Sequence, residues 1–548
     1  MESFSEVDTS AVLDIEKLRL VTPNEAPSEH LECDVLVVGG GTGGVAAAEA
    51  LIRRGVRVIV TEPTSSVGGQ FTSQLVPVPD ESFHIESEPG TSTASYRRLR
   101  AEARAFYAAQ PQVLPGAGDN IGGCWVSRVS ATPDVWEHLM RNRLQGAEAV
   151  LTRHQLVQVT RDSTLFRHAD IVDLDSGGVT RIAASFLLDA TEDGDALDLA
   201  GLPTIIGQES QDEYGEEDAP QEAHPEWVQS FTYCFAVRWA GPEEALDTVA
   251  PPEEYETFRA IGEYTLDYQY SHPNRTVTYQ ILDKAEGGGG PFWTYRRLLA
   301  ASSFEGGASP VGDVALINWR GNDFNDETYL GKTPLEQLRV LQRGKAFAQG
   351  FLYWLQTECP RDDGSGFGYP ELQLVTGQEM PGIGEDGFAL HPYVRESRRL
   401  LPQFPLTARH LTAGLHEGAS WGTEFMDSVG CAYYSIDIHP SKNEPHLLAR
   451  ALPYHIPLGA FITRSGLVNV LPAAKNFGAS RMALASARMH PTEWLIGEVA
   501  GTLAAFCLQR GLTAPSVVRE TPEILADFQT ELRQSGIALH WSEILNAM

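Results

Sequence analysis

A chain of 548 residues is too long for one ordinary domain, and its hydrophobic content of 42% is that of a folded globular protein. The formal net charge of -32 at pH 7 argues against nucleic acids and anionic membrane surfaces as binding partners. The six cysteines are scattered and none belongs to a CxxC pair, which fits a reducing compartment and argues against a redox disulfide or a cysteine zinc site.

The chain starts with MESFSEVDTS, an acidic and polar segment without the basic region and apolar run of a signal peptide. No apolar stretch reaches the roughly 18–20 residues that a membrane-spanning helix needs. We therefore expect a cytoplasmic protein with no membrane partner.

Residues 1–30 predict a polar arm that contains one short helix at residues 12–18. From Cys33 the pattern changes: residues 35–38 are an apolar run, followed by GGGTGG, an alanine-rich stretch that ends at Gly55, and the apolar run VRVIVTE. A strand, a glycine turn, a helix and a second strand within about 30 residues predict a βαβ unit with buried parallel strands.

The glycine turn of this unit has the spacing of a dinucleotide-binding loop. Gly39 permits the tight turn, Gly41 lets the backbone approach a diphosphate, and Gly44 lets the helix pack closely on the strand. A diphosphate there would lie at a helix N-terminus, where free N–H groups favour negative charge. Glu62 ends the second strand 23 residues after Gly39, where a carboxylate binds ribose hydroxyls and disfavours a 2′-phosphate. A purely structural glycine turn is the alternative.

Further segments distinguish FAD from a nicotinamide dinucleotide. The GGQ sequence at residues 68–70 extends the surface that contacts the ADP part of the cofactor. Residues 467–506 predict a short strand, a glycine turn and a helix whose N-terminus would stabilise negative charge on a reduced flavin, and residues 187–201 predict a strand and turn that return to the cofactor. The predicted FAD-binding residues are Gly39, Gly41, Thr42, Gly43, Gly44, Glu62, Gly68, Gly69, Gln70, Thr72, Asp189, Ala190, Thr191, Gly478, His490, Thr492 and Glu493.

The remaining elements follow from apolar periodicity. Residues 207–226 are acidic and almost free of apolar side chains, which predicts a surface loop; a calcium site is the alternative, although the ligand spacing is not recognisable. Residues 333–357 predict one long helix, and residues 522–548 predict one or two terminal helices. Further strands are predicted at residues 149–152, 156–160, 186–189, 231–239 and 277–282.

Seven segments together resemble a known family: GGGTGG, GGQFTS, GGCWVSR, DATEDGD, HPYVRESRR, DSVGCAYYSIDIHPS and KNFGASRMALASARMHPTEWLIGEVAG. The chain resembles the FAD-dependent oxidoreductases of the succinate dehydrogenase/fumarate reductase-like branch of the glutathione reductase superfamily, and more narrowly a bacterial, largely uncharacterised group in that branch. One residue departs from the pattern, because Glu192 stands in DATEDGD where the broader superfamily has a glycine.

The resemblance implies an α/β fold, with a Rossmann-like FAD-binding domain of the glutathione reductase type and an inserted α+β substrate domain. With the predicted elements it divides the chain into five parts. These are an N-terminal arm at residues 1–30, the first part of the FAD-binding domain at residues 31–205, the substrate domain at residues 206–450, the C-terminal part of the FAD-binding domain at residues 451–512, and a helical tail at residues 513–548.

Flavin chemistry needs a hydride path to the ring and usually a base for the substrate proton. The richest polar clusters lie in HPYVRESRRL and in the segment from DSVG to the following HP pair. The candidate catalytic residues are His439, His391, Arg395 and Tyr434, with a histidine as the base and Arg395 as the group that fixes an anionic part of the substrate. Structural histidines and an anchoring ion-pair network are the alternatives. A proline follows each of His391, His439 and His490, which predicts loops there.

The leading hypothesis is an enzyme, an FAD-dependent dehydrogenase or oxidase acting on a small-molecule substrate. The alternatives are a flavin monooxygenase fed by NAD(P)H, for which a second complete GxGxxG is lacking, and a binding or assembly protein with structural FAD. No metal is predicted, since HExxH or a comparable metal box is missing. The sequence does not identify the substrate, the electron acceptor or a covalent flavin link, and it is compatible with a homo-oligomer.

Overall fold

The computed structural model describes residues 11–86, 91–217, 219–241, 243–260, 264–271, 274–307, 309–442 and 444–545. Its strands, numbered in chain order, are β1 (Val12–Asp14), β2 (Arg19–Val21), β3 (Glu29–Glu32), β4 (Val35–Val38), β5 (Val58–Glu62), β6 (Ala149–Thr152), β7 (His154–Asp162), β8 (Leu165–Asp173), β9 (Val179–Ala183), β10 (Phe186–Asp189), β11 (Thr204–Ile205), β12 (Phe235–Trp239), β13 (Asp267–Ser271), β14 (Asn274–Thr278), β15 (Arg297–Leu299), β16 (Val314–Ile317), β17 (Leu372–Leu374), β18 (Arg399–Leu400), β19 (Ser428–Ala432), β20 (Ile436–Ile438), β21 (Leu447–Ala449), β22 (Tyr454–Pro457) and β23 (Val470–Pro472). Its α-helices are α1 (Thr42–Ile52), α2 (Ala94–Ala108), α3 (Pro133–Arg143), α4 (Asp195–Leu199), α5 (Gln211–Tyr214), α6 (Tyr255–Ala260), α7 (Phe292–Tyr295), α8 (Pro334–Thr357), α9 (Arg481–Ala487), α10 (His490–Gln509), α11 (Ser516–Glu520), α12 (Pro522–Gln534) and α13 (Trp541–Leu545).

A five-stranded parallel sheet in the order β23-β10-β4-β5-β6 forms the core of the fold. Every residue of its central strand β4 is buried, as expected when both faces of a parallel sheet are covered. The predicted βαβ unit is confirmed as β4, α1 and β5, and the predicted strands at residues 149–152 and 186–189 are confirmed as β6 and β10. Because the strands are parallel, their carboxyl ends meet at one edge, where α/β proteins bind their ligands.

Helix α10 packs directly on α1 through small residues. Gly497 lies against the backbone of Gly43 and Gly501 against the backbone of Ala47, so that a Cβ atom on either glycine of α10 would overlap the facing carbonyl group. These glycines let the backbones of the two helices come into contact. The pairing also shows that α1 and α10 run in the same direction, which brings both N-termini to the carboxyl edge of the parallel sheet.

The described residues also form two four-stranded sheets, the mixed sheet β3-β9-β8-β7 and the antiparallel sheet β15-β16-β12-β17, and five two-stranded sheets. Strand β12 presents alternate residues to two apolar clusters, as strand geometry requires. Ala236 belongs to the cluster around the parallel sheet, whereas Phe235 and Val237 belong to a second cluster with residues of α8. The antiparallel sheet is therefore shared between two cores.

The helix predicted at residues 12–18 is wrong. Strands β1 and β2 form an antiparallel hairpin there, with Leu18 at φ 46° in the turn. The Asp14 carboxylate is fully buried and accepts hydrogen bonds from Arg153 at 2.8 and 2.6 Å and from Arg19 at 2.9 Å. A distant ion pair therefore fixes the extended backbone, which the local sequence pattern does not reveal.

Two predicted strands have shifted limits. The strand predicted at residues 231–239 begins only at Phe235, because Phe231 and Thr232 each form an isolated bridge with another segment instead. The strand predicted at residues 277–282 is β14, which begins three residues earlier and ends four residues earlier, and which pairs with β13 as a hairpin. In both places the partner strand sets the limits.

The acidic segment at residues 207–226 is not a plain surface loop. It contains α5, and the side chains of Glu209 and Glu216 are buried. Arg399 donates to Glu209 at 3.0 Å and Ser480 donates to Glu216 at 2.6 Å. Within the part of the chain described, no group of three or more His, Cys, Asp or Glu side chains is arranged to hold a metal ion.

The predicted long helix is confirmed as α8, which begins with a capping box between Thr333 and Glu336. The predicted terminal helices are confirmed as α12 and α13 within the described residues. None of the helices in the described ranges has both the length and the apolar character needed to cross a bilayer. The limits of the five predicted parts, and the inserted domain among them, stay predictions.

Candidate functional site

The first glycine turn connects β4 to α1 at the carboxyl edge of the parallel sheet. Gly39 has φ +99°, and a side chain there would overlap the backbone of Ala190. The Gly40 N–H group donates to Glu62 Oε2 at 2.9 Å. The turn thus leaves the N-terminus of α1 open to an anion, with the Glu62 carboxyl group beside it.

Glu62 is buried at the end of β5. Its Oε1 atom accepts hydrogen bonds from the Thr64 N–H and hydroxyl groups at 3.0 and 2.6 Å. Burial raises the pKa of Glu62 to about 7, although the bonds from Thr64 and Gly40 favour the ionised form. The carboxyl group is therefore fixed in direction, and burial favours its neutral form.

An enclosed cleft of about 150 Å³ runs along this edge, and we call it the cofactor cleft. Its walls come from the ends of β4 and β5, from the start of β7 and from the loop that follows β10. The N-terminal hairpin contributes Val12 and Leu13, and His391 also lines the cleft. The cleft therefore joins segments that are far apart in sequence but meet where the parallel strands end.

A second glycine turn packs on the first. Gly68 N–H donates to Gly40 O at 2.8 Å. Cβ atoms added to Gly41 and Gly69 would lie 2.6 and 2.8 Å from Glu192 Oε1. The Glu192 carboxylate thus lies between the two glycine turns, in space that only glycines leave free.

Buried polar groups converge on this carboxylate. Lys475 Nζ binds the carboxylate of Glu192 and lies 3.3 Å from Glu493 Oε2, and Gln70 Nε2 donates to Glu493 and to Arg488 O. Among the described residues, Gln70 Oε1, Glu192 Oε1 and Glu493 Oε1 are buried without a hydrogen-bond partner. These oxygens can accept hydrogen bonds from a ligand's hydroxyl groups.

The predicted FAD-binding residues divide into two groups. Gly39, Glu62, Ala190 and Thr191 line the cofactor cleft. The others form the glycine turns, bind Lys475 or support the backbone: Gly41, Thr42, Gly43, Gly44, Gly68, Gly69, Gln70, Thr72, Asp189, Gly478, His490, Thr492 and Glu493. Asp189 is an example, since it accepts hydrogen bonds from Thr191 and Leu197 and so holds the loop after β10.

The prediction of a loop at His490 is wrong, because this residue begins α10. Proline is tolerated in the first turn of a helix, where its missing N–H group costs no hydrogen bond. The His490 ring is fully buried, packs on Phe71 at 4.6 Å and bonds to Asp80 N and Val76 O. Burial lowers its pKa to about 3, so at neutral pH it is an uncharged tether for the loop at residues 76–80.

A second cavity of about 260 Å³ is lined by several charged side chains, and we call it the polar pocket. At its wall His439 lies between two carboxylates, with Nδ1 2.5 Å from Asp323 Oδ2 and Nε2 3.3 Å from Asp437 Oδ2. His446 Nε2 lies 2.9 Å from the other oxygen of Asp437. Burial alone would raise the pKa values of Asp437 and Asp323, but the cations around them hold both below their usual range.

Three of the arginines in the polar pocket are paired with carboxylates. Arg296 lies 2.7 Å from Asp80, Arg395 lies 3.0 Å from Asp323, and Arg488 lies 3.5 Å from Asp437.

Arg320 differs from these three, since its guanidinium is half-buried at the pocket and has no ion-pair partner among the described residues. The walls are also aromatic, with Tyr268, Tyr295, Trp319, Tyr393 and Tyr434. Among the described residues that line the polar pocket, Arg320 is therefore the arginine without an ion-pair partner, and aromatic side chains surround it.

Three of the four predicted catalytic residues, His439, Arg395 and Tyr434, lie together in the polar pocket. His391 lies instead in the cofactor cleft, where Nδ1 bonds to Pro392 O at 2.8 Å and burial lowers its pKa. Arg488 links the second glycine turn to the polar pocket, because its carbonyl group accepts a hydrogen bond from Gln70 and its side chain lines the pocket.

Several site residues are missed by the sequence reasoning. Asp323 lies in WRGNDF, a segment without a recognisable motif, and reaches His439 only through the fold. Asp80 and Arg296 also lie in segments without a recognisable motif, so the sequence does not mark them as site residues. Lys475 does give one, as a lone lysine after the apolar run VLPAA at the end of β23, where a buried charge needs a partner.

The profile of the FAD dependent oxidoreductase family matches residues 34–532. A search of curated proteins finds no match. Among solved structures, similar ones include a geranylgeranyl bacteriochlorophyll reductase-like protein from Thermoplasma acidophilum, with 10% identity and a TM-score of 0.35 over 94% of this chain and 87% of the other. Others are the OxyS anhydrotetracycline hydroxylase from Streptomyces rimosus (16% identity, TM-score 0.22, 39% of each chain) and L-proline dehydrogenase from P. horikoshii (14% identity, TM-score 0.17, 34% of this chain and 26% of the other).

The aligned part of this chain covers well under two thirds of the hydroxylase and of the dehydrogenase. With TM-scores this low, none of the three similarities is evidence about the reaction. The family match establishes FAD as the cofactor. The described residues fit this group: the paired glycine turns and the N-terminus of α1 form a loop of the diphosphate-binding kind, whose space the Glu192 side chain enters, Glu62 stands where ribose hydroxyls bind, and the unpaired buried oxygens can accept from further hydroxyl groups.

Proposed function

The chain belongs to the FAD dependent oxidoreductase family, and from this premise we propose that it oxidises a small organic substrate by hydride transfer to FAD, with the polar pocket as the substrate site. FAD, when bound, supplies the hydride acceptor. The protein supplies the groups that bind the substrate and move its proton. Membership of the succinate dehydrogenase/fumarate reductase-like branch is part of the proposal, supported by the motif resemblance.

One observation supports the proposal most strongly, the position of His439 between Asp323 and Asp437 in the polar pocket, which also contains Arg488, a residue bonded to Gln70 of the second glycine turn. Asp323 fixes the orientation of the ring and stabilises the imidazolium that forms when His439 accepts a proton. In the neutral ring Nδ1 donates to Asp323, so that Nε2, 3.3 Å from Asp437, is the acceptor, and a substrate hydroxyl or amine can donate to it in place of the Asp437 contact. His439 is then the base that removes the substrate proton while the hydride leaves.

The charges of the polar pocket favour a substrate with an acidic or strongly polar group. Arg296, Arg395 and Arg488 are each neutralised by a carboxylate of the protein. Arg320 is left to bind an anionic group, and the tyrosine and tryptophan side chains around it exclude bulk water. Tyr434 adds a hydroxyl donor, since burial and the nearby Asp80 and Asp437 raise its pKa well above the usual value.

Anaerobic reduction of the purified holoprotein tests this proposal. Small alcohols, hydroxy acids and amines are added in turn and the flavin absorbance is followed, with NADPH alone in a parallel sample. We expect bleaching by at least one substrate with an acidic group and none by NADPH. Rapid bleaching by NADPH alone would favour a monooxygenase. An unperturbed flavin spectrum with every compound would favour a structural FAD, and either outcome would contradict the proposal.

A further inference from the structure

Glu192 occupies the place in the fold where a dinucleotide's diphosphate is held. Its carboxylate lies between Gly41 and Gly69, at the N-terminus of α1. Glycines at these positions and the exposed N–H groups of a helix start are the features that bind a diphosphate in folds of this kind. A carboxylate of the protein is therefore the anion at this position.

A buried lysine holds the carboxylate there. The side chain of Lys475 is 1% exposed and contacts both Glu192 and Glu493, so that its charge is compensated entirely by protein carboxylates. Burial would raise the pKa of Glu192, but Lys475 and His391 outweigh it and lower the pKa. Glu192 is thus an ionised group in a water-poor site, and its Oε1 atom has no hydrogen bond among the described residues.

Two anions cannot share this space, because like charges a few ångströms apart in a poorly solvated site repel each other strongly. We propose that Glu192 is an internal substitute for the diphosphate, which keeps Lys475 paired in the cofactor-free protein, and that FAD binding moves Lys475 from Glu192 to the diphosphate. Lys475 is then a cofactor-binding residue, and Glu192 is its internal competitor. The inference depends on FAD as the cofactor and not on the reaction that the enzyme catalyses.

The exchange accounts for the one residue that departs from the superfamily pattern. A glycine at position 192 would leave the diphosphate position empty of protein atoms and Lys475 with Glu493 alone. Glu192 instead stabilises the cofactor-free protein at the expense of affinity. Each molecule of FAD must displace a salt bridge before it binds, which lowers the affinity by the free energy of that pair.

Removal of the competing charge tests the proposal. Apoprotein is prepared from the holoprotein of the wild type, Glu192→Gln, Glu192→Gly and Lys475→Met, and FAD binding is measured by quenching of flavin fluorescence. Both Glu192 variants should bind FAD about tenfold more tightly, and Lys475→Met should bind it at least about tenfold more weakly. Glu498→Gln is the matched control, since Glu498 is a buried carboxylate of α10 that bonds to Ser95 and not to the glycine turns, and its affinity should not change.

Thermal unfolding with and without FAD provides the second measurement. In Glu192→Gln the apoprotein should melt at a lower temperature than wild type, and the rise in Tm on FAD addition should be larger. A weaker FAD affinity in both Glu192 variants would mean that Glu192 binds the cofactor directly and would overturn the proposal. An equal loss of Tm in the apoprotein and the holoprotein, with unchanged affinity, would mean a purely structural role and would overturn it as well.

Discussion

Asp14 and Arg153 are joined by two hydrogen bonds of 2.8 and 2.6 Å, although 139 residues separate them in the sequence. The pair attaches the N-terminal hairpin to the turn between β6 and β7, next to the residues of β7 that line the cofactor cleft. Val12 and Leu13 of the hairpin form part of the cleft wall. A segment far from the glycine turns thus closes the Glu62 end of the cofactor site.

The Asp14→Asn variant should lose both stability and FAD retention. Arg153 would keep only its longer contacts with Asp175 at 3.4 Å and Glu16 at 3.5 Å, and we expect the free energy of unfolding to fall by up to about 3 kcal/mol. Urea denaturation and the rate of flavin release measure the two effects. Asp170→Asn is the matched control, because its pair with Arg181 is partly exposed and should contribute about 1 kcal/mol or less, with no effect on flavin release. If the two variants lose the same unfolding free energy and release flavin at the same rate, the Asp14–Arg153 pair does not hold the cofactor site together.

Arg320 and Arg395 should behave differently when each is replaced by methionine. Arg320 has no ion-pair partner among the described residues, so Arg320→Met should leave the stability nearly unchanged and raise KM by about tenfold or more for a substrate with an acidic group. Arg395→Met leaves Asp323 buried without its guanidinium and should lower the free energy of unfolding by about 3–5 kcal/mol. Steady-state kinetics and chemical denaturation separate the two. If Arg320→Met affects only stability, its assignment as a substrate-binding residue is wrong.

The raised pKa of Glu62 should make the stability of the apoprotein depend on pH. Its folded pKa of about 7 lies above the ordinary value of 4.5, so its contribution to stability is fully present below pH 4.5 and is lost as the pH rises through 7. Between about pH 5 and pH 8, wild-type apoprotein should therefore lose stability relative to Glu62→Gln. Denaturation of both proteins across this range measures the difference. If the difference in unfolding free energy between the two proteins does not change with pH, or changes in the opposite direction, burial does not raise the pKa of Glu62.

The cofactor site could be predicted largely from the sequence, because its signals are local. The valines of β4, the glycines at positions 39, 41 and 44 and the carboxylate of Glu62 lie within 28 residues, and their conformations depend mainly on near neighbours. The late segment with β23 and α10 could be predicted as well, since its glycines need a close backbone partner.

The polar pocket could be predicted only in part. His439, Arg395 and Tyr434 stand in recognisable clusters, but Asp323 reaches His439 only because the antiparallel sheet places its segment there. The same holds for the N-terminal hairpin, whose short strands are fixed by a distant ion pair. Contacts of this kind depend on tertiary packing, and neither residue type nor periodicity encodes the partner.

We propose that His439 removes the substrate proton in the polar pocket, and single-turnover reduction of the flavin tests this role most directly. Anaerobic mixing of the holoprotein with its substrate should reduce the flavin about 10²–10⁴-fold more slowly in His439→Gln than in wild type, with unchanged flavin content, since general-base catalysis contributes that much. His446→Gln, which alters the outer partner of Asp437, should have a much smaller effect. A His439→Gln protein that binds FAD and reduces it at the wild-type rate would show that His439 is not the base.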